Sequence, residues 1–218
     1  MRKFIVSAVA LVCSLGASMQ AMANEQSQLI LAQAPHLKAK VLKTALHKFE
    51  EAKADIGSKI KKDILTVIDY TMPSNQKRLW VIDLDHDKVL YNSLVAHGKY
   101  SGALYARHFS DRDGSLESSI GTFLTEGTYY GHDGYAMKID GLEKGFNDTA
   151  EKRHVVMHGA WYVSRNMIKR YGRIGRSWGC PALPEEKLKP VVNTIKNGSV
   201  LVAYYPNHDW LDNSQFAV

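Results

Sequence analysis

Thiols are scarce: only Cys13 and Cys180 occur in 218 residues, so the fold rests on apolar burial rather than on a disulfide framework. Past the first two dozen residues nothing comes near the roughly 20 apolar residues that a membrane-spanning helix needs. Stable membrane insertion is therefore not expected of a chain that has lost its N-terminus. Repeats and low-complexity tracts are missing. So are clustered basic stretches and nucleic-acid-binding motifs, which disfavours nucleic acid as a partner. What remains is ordinary for a folded domain: 45% hydrophobic and 23% charged residues, far from the composition of disorder. The length leaves room for one domain with a proper core plus a helical appendage.

The N-terminus reads as a leader. Met1, Arg2 and Lys3 precede an apolar run over 4–15, and small residues then end in Ala21-Met22-Ala23. A charged start, an apolar stretch too short to span a bilayer and an Ala-x-Ala site describe a secretory signal peptide over 1–23. Val12 before Cys13 argues against a lipid-modified cysteine. Cleavage removes Cys13 and leaves Cys180 as the sole thiol of a protein exported to the periplasm or cell envelope. Such a thiol is either a small buried apolar residue or a reactive group. The formal charge of +6 loses Arg2 and Lys3 with the leader, and a mildly basic remainder suits a polyanionic envelope surface.

Residues 24–62 form an N-terminal helical segment in this reading. Over 35–57 the apolar residues Leu37, Val41, Leu42, Ala45, Leu46, Phe49 and Ala52 recur at helical spacing, with Pro35 near the start and Gly57 near the end. The pattern predicts an amphipathic helix packed on the domain that follows. After Lys62 the texture changes. Stretches rich in β-branched and aromatic residues, at 64–70, 78–84 and 88–98, are separated by polar turns. Further strands are expected at 127–130, 135–142, 153–158 and 199–205, and a short helix over 185–196. Close spacing of short strands predicts a mainly β sandwich or barrel over 63–218.

The chemistry is concentrated between His154 and Pro184. A thiol is a useful nucleophile as thiolate, and its ordinary pKa of about 8.5 calls for a base or nearby positive charge. His158 offers the base; Arg173 and Arg176 offer charge. Gly179 opens the backbone beside Cys180 and permits a turn whose successive N–H groups point at one spot, as an oxyanion hole requires. On a strand, His154, Val156 and His158 share a face. A zinc reading of H-x-x-x-H requires a helix and usually a Glu, and the strand-like middle argues against it. Tyr130, with Tyr129 and Tyr135, flanks a Gly131–Gly134 turn that could wall a groove, and edge packing accounts for these tyrosines as well.

His158-Gly159 followed by Ser177-x-Gly179-Cys180 resembles the active-site signature of the murein L,D-transpeptidase catalytic-domain family, in its larger-insert branch. The segments RLWVIDL, LVAHG, SSIGTF, GHDGYAMKIDGLEKGFND and GRSWGCPALP extend the likeness over about 64–205. The resemblance implies that Cys180 is the nucleophile and His158 its base, oriented by the Gly159 carbonyl. It also implies an oxyanion hole of the Trp178, Gly179 and Cys180 N–H groups, with Ser177 stabilising the loop. Ser118–Phe123 stands where the family often reads Thr-Pro-x-Gly-x-Phe, as scaffold. The implied substrates are peptidoglycan stem peptides, cleaved before a terminal D-alanine, with no metal or organic cofactor.

Three departures bear on substrate choice. Trp178 stands where many members have a second histidine. Pro181 and Ala182 replace an aliphatic residue and an arginine, a lost charge that Arg176 or Arg173 could cover. The long His-to-Cys interval implies an inserted loop around 164–171. Three functions stay open on these grounds: L,D-transpeptidase, L,D-carboxypeptidase through the same thiol and imidazole, and a wall-binding module with a dead site.

Overall fold

The computed structural model describes residues 24–131 and 134–216; the leader expected at 1–23 and His132 lie outside them. A helix α1 covers 24–33, and α2 runs Ala39–Ile56. The helix expected from Pro35 thus starts later, because His36 takes a left-handed φ of 70° that turns the chain between α1 and α2. The strands are β1 Ile64–Asp69, β2 Leu79–Asp83, β3 Lys88–Ser93, β4 Gly121–Gly131, β5 Gly134–Gly141, β6 Val156–Gly159, β7 Ala182–Leu183 and β8 Val200–Tyr204. Three helices fall among them: α3 Arg165–Tyr171, α4 Glu185–Ile195 and α5 His208–Asn213.

Among the described residues the strands form one mainly β, nearly closed sheet in the order β3-β2-β1-β8-β4-β5-β6-β7. β1 and β8 are parallel, as are β6 and β7, and the other neighbours are antiparallel. Strands β1 and β8 are buried on both faces, which is why ILTVID and VLVAY are nearly continuous apolar runs rather than alternating ones. Leu65, Val67, Val200 and Val202 face the apolar stripe of α2, including Val41, Leu42, Ala45 and Phe49. Ile68, Leu201 and Ala203 point to the other side, where Leu188, Val191, Val192 and Ile195 of α4 fill the concave space.

Three differences from the sequence pattern have local causes. The expected strand 153–158 begins only at Val156, because His154 adopts φ 53° and breaks the extended run. The insert at 164–171 is the helix α3, capped by Ser164, whose Oγ accepts from the Met167 N–H, and closed by a left-handed Gly172. Lys48, on the polar side by composition, lies on the buried face of α2 because Glu143 and Glu51 meet it there at 3.1 and 2.8 Å.

Candidate active site

The β6–β7 pair at the end of the sheet organises the site. Met157 and Leu183 enter the α4 side of the core, so His158 and Ala182 face the opposite side, where Ala182 packs with Leu94, Ala96, Ala160, Val163 and Ile174. His158 and Ala182 are register partners. Extended back by two residues, that register sets Cys180 beside Val156. The Val156 N–H accordingly donates to Cys180 Sγ at 3.4 Å.

The sulfur has a second backbone neighbour. Its S–H faces the His154 carbonyl oxygen at 3.7 Å. That carbonyl leaves the ladder direction because His154 is left-handed, a conformation that costs a non-glycine residue roughly 1–2 kcal/mol. A carbonyl acceptor suits the thiol and an amide donor suits the thiolate, so the cradle serves both protonation states. Cys180 is in no disulfide.

His158 is 7% exposed. Its Nδ1 lies 3.0 Å from the Gly159 carbonyl oxygen, and a carbonyl only accepts. Nδ1 therefore carries the proton, and in the neutral imidazole Nε2 holds the lone pair. A base needs that tautomer if its Nε2 is to take a proton from a neighbour.

The loop before Cys180 is held from both sides. Ser177 Oγ donates to the Cys180 carbonyl at 2.6 Å and accepts from the Gly179 N–H at 3.1 Å. Of the three N–H groups that the resemblance implies for an oxyanion, that of Gly179 is thus engaged within the loop. Gly179 has φ 131°, and a Cβ there would stand 2.8 Å from the Glu117 carbonyl oxygen, so the position requires glycine. The Ser177 backbone forms a bridge to the 97–99 segment: its N–H donates to the His97 carbonyl, and its carbonyl accepts from the Lys99 N–H. Trp178, between these anchors, turns its indole outward and is 77% exposed.

The remaining candidates divide. Arg176 Nη1 donates to the carbonyls of Lys99 and Gly102 at 2.9 and 3.1 Å, and partial burial and the neighbouring Arg173 push its pKa down. Arg173 donates to the Ile174 carbonyl. Both belong to a stretch, 160–184, that also carries Arg165, Lys169 and Arg170 and contains no acidic residue. Tyr130 pairs with Tyr135 in register, while Tyr129 pairs with Ala136, itself the partner of His158. The pleat therefore sends Tyr130 to the opposite sheet face from His158 and puts Tyr129 on the same one.

Sequence patterns gave no sign of the buried groups behind this loop. Arg78 and His97 are fully buried and in contact, with Arg78 Nη2 2.7 Å from His97 Nδ1. Arg153 sends its guanidinium into the 110–119 loop. Nothing in their local sequence marks these three as buried, so they could be found only through the fold. No group of three or more His, Cys, Asp or Glu side chains able to hold a metal stands together among the described residues.

The profile of the L,D-transpeptidase catalytic domain matches residues 33–204, and the chain belongs to that family. The match begins ahead of α2, so the helix lies within it. Among solved structures, an L,D-transpeptidase from Mycobacterium smegmatis aligns with a TM-score of 0.42 at 13% identity, over 66% of this chain and 59% of its own. One from Stackebrandtia nassauensis aligns with a TM-score of 0.41 at 15% identity, over 76% and 66%. An L,D-transpeptidase in complex with imipenem gives a TM-score of 0.40 at 15% identity, over 66% and 59%. The chain thus spans about three-fifths of the length of the first and third. No curated protein matches the sequence.

Proposed function

We propose that the protein is an exported peptidoglycan L,D-transpeptidase in which Cys180 is the nucleophile and His158 the general base. The observation that carries this reading is the pairing of β6 with the Cys180 segment. It sets the sulfur on the backbone of the strand that bears His158, and the Gly159 carbonyl fixes that imidazole with Nε2 as its acceptor.

The reaction runs in two halves. Cys180 attacks the carbonyl that precedes the terminal D-alanine of a tetrapeptide stem, its proton passes to His158 Nε2, and a C–S bond forms. The N–H groups of Trp178 and Cys180 are the proposed donors to the tetrahedral oxyanion. Collapse breaks the C–N bond, and His158 returns the proton to the departing amine of D-alanine. An amine of a second stem then attacks the thioester and gives up its proton to His158, and the thiolate leaves. Stem peptides are rich in carboxylates, and the stretch 160–184 that contains Cys180 carries five cations and no acid, a charge complementary to them.

Incubation of muropeptides with the purified protein tests the reading. New cross-linked dimers and released D-alanine, lost in Cys180→Ala, are expected. Trimmed tripeptides alone make it an L,D-carboxypeptidase, and unchanged muropeptides that still bind the protein make it a wall-binding module.

A further inference from the structure

We propose that Ser118 is a positioning residue that aims the Cys180 N–H at the acyl oxygen, an inference that rests on the acyl-transfer reading of Cys180. Ser118 is 1% exposed and comes from the loop before β4, far from the nucleophile in sequence. Its Oγ lies 3.0 Å from the Gly179 carbonyl oxygen, and also 3.0 Å from the Gly98 nitrogen. The Tyr70 side chain contacts the Ser118 hydroxyl as well.

The donor assignment follows from what each neighbour can do. The Gly179 carbonyl only accepts, so the single hydroxyl proton of Ser118 goes there. The Gly98 N–H only donates. A lone pair of Ser118 then takes the Gly98 N–H, so one donor and one acceptor hold the hydroxyl in a single orientation. Gly98 makes this approach feasible, since a Cβ there would stand 2.5 Å from the Leu116 carbonyl oxygen and 2.8 Å from the Ser118 nitrogen.

The consequence for Cys180 is geometric. The Gly179 C=O and the Cys180 N–H belong to one planar trans peptide, and in such a unit the two bonds point in opposite directions. Holding the carbonyl on the buried Ser118 therefore turns the amide the other way, to the solvent side of the loop. The next peptide is fixed as well: Ser177 holds the Cys180 carbonyl at 2.6 Å, and Pro181 has no N–H to turn. Ser177 sets one side of the nucleophile's backbone and Ser118 sets the direction of its donor.

Two reactions of the same sulfur separate this role from general support. Alkylation by iodoacetamide develops no oxyanion, whereas acylation by imipenem does. Both are followed by intact-protein mass in wild type, Ser118→Ala and the isosteric pair Ser118→Thr and Ser118→Val, with thermal melts to establish folding. The expected result for Ala and Val is an acylation rate constant at least about tenfold lower at saturating imipenem, an unchanged half-saturating concentration, and alkylation within about twofold of wild type. Thr restores acylation. The Thr/Val comparison decides the matter if Ala does not fold. Acylation of Val at the Thr rate, or an equal loss of alkylation and acylation, overturns the positioning role alone. Wild-type protein that is alkylated but never acylated overturns the acyl-transfer reading beneath it.

Discussion

Arg78 Nη2 lies 2.7 Å from His97 Nδ1, and both side chains are fully buried. A guanidinium only donates, so Nδ1 is the acceptor and Nε2 carries the proton, directed at the Gly102 carbonyl 3.3 Å away. Arg78 reaches three further acceptor contacts: the Val95 carbonyl from Nε and Nη2, and the Met72 carbonyl from Nη1. Its guanidinium also lies over the Tyr70 ring, 5.1 Å from the centroid. The His97 carbonyl in turn accepts from Ser177, the clamp of the Cys180 loop. A neutral histidine thus connects a buried cation to the candidate site.

Burial, reinforced by Arg78, pushes the His97 pKa down to about 3. Above its ordinary value of about 6.5 the ring is neutral in folded and unfolded chains alike, and it contributes no pH dependence. Between about 6.5 and 3 the unfolded chain takes up a proton that the folded one refuses, so stability falls as pH falls, by about 1.4 kcal/mol per pH unit. His97→Gln keeps an acceptor for Arg78 and a donor for Gly102 but does not titrate. Urea denaturation at pH 7 and pH 4.5 should show a decrease in unfolding free energy that is smaller in His97→Gln by about 2–3 kcal/mol. Equal decreases in the two proteins would contradict the neutral assignment.

The loop itself makes a second prediction. Ser177→Ala removes the donor to the Cys180 carbonyl and the acceptor of the Gly179 N–H, leaving two partly buried groups unpaired at a cost of about 1–3 kcal/mol. Acylation of Cys180 should slow by about ten- to a hundredfold, because the donors around the sulfur lose their fixed direction. Gly179→Ala should be worse, with φ 131° and a backbone oxygen 2.8 Å from the new Cβ. Acylation kinetics by mass spectrometry check both; a Gly179→Ala protein as fast as wild type would sink the account of this turn.

Legibility in the sequence follows a physical line. Strands β1, β2 and β8 are readable because apolar runs of that length must be buried on both faces. The stripe of α2 is readable from its spacing. The parallel pairing of β1 with β8 and of β6 with β7 is not, since strand partners across long separations leave no local pattern. Cys180, His158 and Ser177 stand out because thiol, imidazole and glycine neighbours form a compact motif. Ser118 and Arg153 do not, because their partners are brought near only by folding. His154 shows the cost of periodicity alone: alternation puts it on a strand with His158, and its left-handed φ takes it off.

Glu143 anchors the far side of the fold. Fully buried, it accepts from the Thr122 N–H at 2.6 Å and Trp210 Nε1 at 2.8 Å through Oε2, and from Ser214 Oγ at 2.9 Å through Oε1, which also faces Lys48 Nζ at 3.1 Å. One carboxylate therefore joins β4, α5 and α2. Glu143→Ala leaves Lys48 buried without this partner and three donors without acceptors, and should destabilise the protein by about 3–5 kcal/mol. Glu143→Gln retains an acceptor and should cost less. Chemical denaturation of both variants checks the order, and a Gln variant as unstable as Ala would show that charge rather than hydrogen bonding holds the hub.

Arg153 supplies the last test, because one planar cation fastens the loop that carries Ser118. Nη1 donates to the Ser110 carbonyl at 2.8 Å and Ser119 Oγ at 2.6 Å, and Nη2 to Ser115 Oγ at 3.0 Å and the Glu117 carbonyl at 2.8 Å. The adjoining residue is His154, whose carbonyl faces the thiol. A lysine ammonium concentrates its donors on one atom and cannot span four acceptors set out in a plane. Arg153→Lys should therefore lose about 2–3 kcal/mol of stability despite its retained charge. Hydrogen exchange should quicken most at Ser118 and Ser119, at the end of the clamped segment, where Ser118 meets the Gly179 carbonyl. If exchange there stays at the wild-type rate while global stability falls, Arg153 supports the core and not the site. If both change and acylation slows with them, the guanidinium, Ser118 and the Gly179 carbonyl act as one connected support.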